Sequence, residues 1–262
     1  MNATRITTGT PGLDRLLGGG LLPGGVYSII GPPGTGKSIL GVQFLIEGIK
    51  RGENAFLVSV DEPPCEVREN MQKMFGDNFD KIFVLDGTLE MKHYEITPLR
   101  DVTIVRRAEQ FRSVFPEIPN SIDVRNPDLT VSSLQEMIKV EAREKKISRL
   151  VIDSVTAIKL FMMPTSERNQ FVQSFMRFLC DLGISTLITI HENDASDPEA
   201  SKIEQMMSRG VIRLHRWYQP NGFKLGISVD KFRGSEHDET INRAKITPIG
   251  LQVMERPRSG GE

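Results

Sequence analysis

The sequence has 262 residues, 39% hydrophobic and 26% charged, with a formal net charge of −1. That length suits one substantial α/β domain with a buried core and is short for two, and the composition excludes a disordered chain. Near-neutral charge argues against a nucleic-acid or anionic-membrane binder, although a local basic face can hide in the average.

The chain opens with Met1-Asn2-Ala3-Thr4-Arg5, which lacks the apolar run of a signal peptide. No stretch approaches the roughly 18 apolar residues that span a membrane, so a soluble, cytoplasmic protein is expected. Residues 26–30 read as a buried strand running into a glycine-rich loop. Residues 39–49 follow as a helix with Leu40, Phe44, Leu45 and Ile49 on one side. Residues 55–60 and 81–85 read as further strands. Between them Cys65 follows two prolines in a loop.

Residues 91–126 are irregular, with Arg100, Arg106, Arg107 and Arg112 loosely grouped. They read either as an amphipathic surface excursion or as an insertion that contacts a partner or polymer. Helical periodicity returns over 134–144, and 149–153 is a strand ending in an acid. Residues 169–182 are a helix stopped by Gly183, with Phe171, Phe175, Phe178 and Leu179 facing inward and Cys180 expected in the core. Residues 185–190 are another strand. The remainder is β-rich, at 211–214, 224–231 and 244–253.

Alternating strands and helices predict an α/β fold with a mostly parallel sheet and a β-rich C-terminal part. Residues 1–255 are expected to form one domain interrupted by 91–126, and residues 256–262 a disordered tail. Two cysteines fit a reducing compartment, and no Cys/His spacing suggests a structural metal.

Gly31-Pro32-Pro33-Gly34-Thr35-Gly36-Lys37-Ser38 fits the phosphate-loop pattern completely, between a predicted strand and a helix that opens near Ile39. Glycines reach backbone angles closed to other residues, so main-chain N–H groups can close around phosphate oxygens. The helix N-terminus adds free N–H groups aimed at the same anion. Lys37 supplies a positive charge for the outer phosphates of ATP, and Ser38 a hydroxyl for Mg²⁺.

Downstream of such a loop, Asp153 at a strand end is the natural magnesium-side acid. Asp61 and Glu62 follow residues 55–60. At the carboxyl end of a neighbouring strand they can orient or deprotonate the attacking water; otherwise they form a solvated acidic turn before Pro63-Pro64.

The stretch from Arg5 through Thr7-Thr8-Gly9-Thr10-Pro11-Gly12-Leu13-Asp14 to Gly18-Gly19-Gly20 resembles the opening of KaiC-type domains of the RecA superfamily. The phosphate loop, Asp61-Glu62 and Ile152-Asp153-Ser154-Val155-Thr156 follow in the family's order. Lys231-Phe232-Arg233-Gly234-Ser235-Glu236-His237-Asp238 then resembles its Lys-x-Arg-Gly segment. The likeness covers nearly the whole chain except 91–126.

It implies a RecA-type P-loop ATPase core assembled into a ring, most often a hexamer, with ATP between subunits. Lys231, Phe232, Arg233, Ser235 and His237 would lie at the neighbour's nucleotide, with Lys231 and Arg233 reaching its γ-phosphate. Without the resemblance the two cations read as a solvated strand edge.

Several positions depart from the family. Asp61 stands where Glu is common, Gln205-Met206 replaces the Ser-Thr phosphorylation pair, and Thr247-Pro248 replaces a Thr-Asp near the adenosine. His191 and Asn193 either sense the γ-phosphate or serve a loop. The expected activity is slow hydrolysis of Mg-ATP to ADP and phosphate, controlling ring assembly or a protein partner. The alternatives are an ATP-binding scaffold with little turnover and a DNA-handling RecA relative.

Overall fold

The computed structural model describes residues 4–87, 127–162, 164, 166–192, 201–220 and 222–254. The expected insertion at 91–126, Asn193 and the tail at 256–262 lie outside them. A one-turn helix α1 (Leu13–Leu16) precedes β1 (Val26–Gly31), α2 (Lys37–Lys50), β2 (Ala55–Ser59), α3 (Pro64–Phe75) and β3 (Phe83–Asp86). Next come α4 (Pro127–Glu144), β4 (Arg149–Asp153), α5 (Val155–Met162), α6 (Arg168–Asp181) and β5 (Ser185–His191). Short α7 (Lys202–Met207) leads to β6 (Gly210–Gln219), β7 (Gly222–Phe232), β8 (Asn242–Thr247) and β9 (Gly250–Val253).

All nine strands form one sheet in the order β3-β2-β4-β5-β1-β6-β7-β8-β9. Pairing is parallel from β3 to β6 and antiparallel from β6 to β9. The continuous apolar run of β1 is what a strand covered on both faces requires, and all six of its residues are buried. One face packs Leu40, Phe44 and Leu45 of α2 with Leu13 and Leu16 of α1. The other packs Leu134 and Ile138 of α4, Ile158 of α5, and Phe171, Phe175 and Leu179 of α6. Each such side chain contributes roughly 1.5–3 kcal/mol by leaving water.

Sequence expectation and structure part at a few places. Cys180 is exposed rather than in the core. One residue along a helix turns the side chain by about 100°, so Cys180 rotates off the face that Leu179 buries. Phe178 is only half-buried for the same reason. Cys65, read in a loop after two prolines, lies in the helix Pro64–Phe75: Pro64 occupies the first turn, where a missing N–H costs nothing, and Val67 and Met71 face inward. The β-rich stretch expected over 244–253 is a hairpin. Pro248 cannot donate to a ladder, and Gly250, at φ 109°, closes the turn. Among the described residues no helix is long and apolar enough to cross a membrane.

Candidate active site

Parallel pairing brings the carboxyl ends of four strands to one edge. Register sets Gly31 beside His191 and Ser59 beside Asp153. The loop after β1, the acids after β2 and β4, and the end of β5 therefore open onto one crevice, where open α/β sheets hold their ligands. The loop turns through Gly34 and Gly36, with φ of 74° and 94° that residues bearing a Cβ rarely adopt. At Gly31 a Cβ would lie 2.4 Å from the Leu214 carbonyl oxygen, so only glycine lets β6 pass so close.

Thr35 is buried and its hydroxyl donates to the Pro32 carbonyl at 2.8 Å, bracing the turn. Helix α2 begins with Gly36 as N-cap, where no side chain caps the first turn, so its leading N–H groups are available to an anion. Lys37 Nζ donates to the carbonyls of Gly31 and Pro32 at 2.8 and 2.9 Å. Burial pulls its ammonium below the usual lysine range, and Asp153 and Asp61 oppose that shift. Pro33 and Gly34 are exposed at the rim, whereas the Ile39 side chain packs against the core.

Asp153 accepts hydrogen bonds from Thr189 and Ser38. Burial pushes its carboxyl above the usual range, and those two hydroxyls oppose the shift. Asp61 accepts from Ser154 Oγ at 3.0 Å through one oxygen, and its other oxygen lies 2.6 Å from His191 Nε2. The His191 backbone N–H is held by Thr156 Oγ1 at 3.0 Å. Glu62 is placed by the Ser59 hydroxyl, which donates to its carbonyl at 2.6 Å. Withdrawal from solvent, then the negative charges of Asp153, Glu66 and Asp61, pushes the Glu62 carboxyl up. Thr189 had no motif to mark it, and Ser154 and Thr156 stood in a family-like segment with no role assigned to them; their contacts become visible only when strands distant in sequence align.

The donor set fits a nucleoside triphosphate with Mg²⁺. The loop offers backbone N–H groups and an ammonium to phosphate. The Ser38 hydroxyl and Asp153 carboxylate already touch, which suits an ion that takes one or two protein oxygens and completes its shell with phosphate and water.

Lys231 and Arg233 are elsewhere. Antiparallel β7 sets Phe232 opposite Gly210, which is level with Tyr27 near the start of β1. Tyr27 precedes Gly31 by about 13 Å at the usual strand rise, so the two cations sit at the far end of the sheet from their own phosphate loop. Lys231 Nζ donates to the carbonyls of Gln205 and Met206 at 2.6 and 3.0 Å, and Arg233 donates to Met206 at 2.7 Å. Burial, then the charge of Arg233, lowers the Lys231 ammonium below its usual value. The Phe232 side chain is buried edge-on against Tyr27 and so serves the core. Ser235 Oγ accepts from Arg5 at 2.7 Å, and Arg5 also donates to Leu17 and Gly20, which ties the N-terminal glycine-rich segment to this loop. His237 Nδ1 approaches the Ser235 carbonyl at 3.4 Å.

Sheet order, phosphate loop and converging acids define an α/β P-loop domain of RecA type. The model of the KaiC-type ATPase family matches residues 6–258. The chain belongs to that family. A UPF0273 protein of Thermotoga maritima is 31% identical, over 98% of this chain and 98% of that one. The circadian clock protein KaiC3 of Synechocystis is 25% identical over 96% of this chain, which spans 46% of that protein's length. A solved KaiC-like protein from Pyrococcus horikoshii shares the fold at a TM-score of 0.74 and 22% identity, covering 97% of this chain and all of that one.

Proposed function

We propose that this protein binds Mg-ATP in the loop from Gly31 to Ser38 and hydrolyses it slowly at interfaces of a ring-shaped homo-oligomer, its nucleotide state controlling assembly or a protein partner. One observation carries the reading. The loop and acids sit at one end of the sheet and Lys231 with Arg233 at the other, so a complete site needs two copies joined head to tail. Lys37 and the loop N–H groups hold the phosphates, and Ser38 with Asp153 would hold Mg²⁺, which neutralises charge on the phosphoryl oxygens when bound. Glu62 and Asp61 orient the attacking water and receive its proton. Lys231 and Arg233 of the adjacent copy meet charge gathering on the transferring phosphoryl group.

A second reading, ATP binding with little turnover, is favoured by the engagement of both Asp61 oxygens with Ser154 and His191. Phosphate release from a mixture tests the first. Arg233→Ala subunits keep an intact loop, and Lys37→Ala subunits keep intact cations, so each pure variant is inactive and the mixture recovers activity. A trans arginine is worth about 10³- to 10⁵-fold in related chemistry, so even partial recovery stands clear of background. An inactive mixture of assembled, exchanging subunits contradicts action in trans. Tight ATP binding by the parent chain without phosphate release favours the scaffold.

A further inference from the structure

Helix α7 is too short to hold itself together in water. Its carbonyls at Gln205 and Met206 nevertheless take three hydrogen bonds from Lys231 and Arg233. A helix C-terminus is a natural seat for cations, because its last carbonyls lack helical partners and carry the negative end of the helix dipole. Something must fix that seat. Glu204 is 1% exposed, and its carboxylate receives Lys159 Nζ from α5 at 2.8 Å, with Lys159 itself 8% exposed. The backbone side is tied as well: Ser208 Oγ donates to the Glu204 carbonyl at 2.7 Å and lies 2.5 Å from Ser28 Oγ of β1.

We propose that Glu204, pinned by Lys159, is the positioning residue that sets α7 and thereby presents Lys231 and Arg233 to the neighbouring subunit's nucleotide. This rests on the trans reading above. A buried ion pair is a weak source of stability but a specific one, since each charge accepts only a partner in the right place. Helix α5 starts two residues after Asp153. The same pair therefore links the segment behind a subunit's own magnesium-side acid to the cations it lends its neighbour.

The test is steady-state ATP hydrolysis by assembled Glu204→Gln protein, alone and mixed with other variants. Because a misplacement of about 1 Å can cost on the order of 100-fold in rate, Glu204→Gln should lower kcat by about that factor and leave KM for ATP unchanged. Its own loop and acids are intact, so Lys37→Ala subunits, which lend good cations, should restore its turnover. Arg233→Ala subunits, which lend no arginine, should not. The paired Lys159→Met/Glu204→Met variant removes both charges and serves if the single variant fails to fold; it should give the same pattern. Full kcat in either folded variant overturns the proposal, as does a loss that Lys37→Ala subunits fail to repair. The mixture of Arg233→Ala with Lys37→Ala, run in parallel, separates the two ideas. If it recovers activity while Glu204→Gln behaves as the parent, the trans reading stands and only the positioning role falls.

Discussion

The carboxyls at the mouth of the crevice differ because their surroundings differ. Asp61 is fixed by Ser154 and His191, whereas Glu62 is crowded by Asp153, Glu66 and Asp61. Asp61→Asn with Glu62→Gln should leave nucleotide bound and lower phosphate release by on the order of 10²- to 10⁴-fold. Lys37→Ala should abolish binding itself, measured by equilibrium titration with a fluorescent ATP analogue. Glu62 also makes a stability statement. Its carboxyl binds a proton more tightly folded than unfolded, so its effect on folding turns unfavourable as pH rises from the ordinary glutamate range through the raised value. Glu62→Gln should therefore melt above the parent at neutral pH, with the gap closing in mild acid. Of these residues the loop was legible because its chemistry fixes four residue types within a span of eight. His191 reads from sequence as either a γ-phosphate sensor or a loop residue, and its contact with Asp61, 130 residues away in sequence, was not legible, since only the alignment of β2, β4 and β5 creates it.

Among the elements, β4 carries a charge where its apolar pattern invites none. Arg149 is 1% exposed, with Nε 2.5 Å from Glu53 and Nη1 donating to the carbonyls of both Thr7 and Phe44 at 2.8 and 2.9 Å. Its guanidinium also lies over the Phe44 ring at 4.7 Å. One side chain thus fastens β4 to α2 and to the N-terminal segment. Arg149→Met removes the donor to the Thr7 and Phe44 carbonyls and the partner of Glu53, and should lose on the order of 3 kcal/mol in urea unfolding. Glu53→Gln keeps those bonds and should lose less. Strands were easier to read than helices here. Continuous apolar runs mark a parallel sheet whatever lies around them, while α3 was hidden by Pro63-Pro64 and α5 by its closeness to the end of β4. The seating of Lys231 and Arg233 on α7 left no trace in local pattern, because the acceptors are backbone carbonyls, which every residue has.

At the scale of the molecule, sheet order was beyond the sequence. Alternation predicted parallel strands, but nothing local dictates that β1 lies between β5 and β6 or that β7 turns back along β6. That reversal carries Lys231 and Arg233 to the end opposite Gly31. On the proposed function, a chain built this way has a giving end and a receiving end, and a copy in isolation would own two halves of different sites. Specific activity should then fall on dilution, with phosphate released per chain dropping steeply once assemblies dissociate. Measured across a dilution series at saturating ATP, constant activity per chain down to sedimenting monomers would contradict the arrangement. A chain damaged at one end silences one site, whereas a chain damaged at both silences two, so a minority of Lys37→Ala/Arg233→Ala copies should suppress more than its share of turnover.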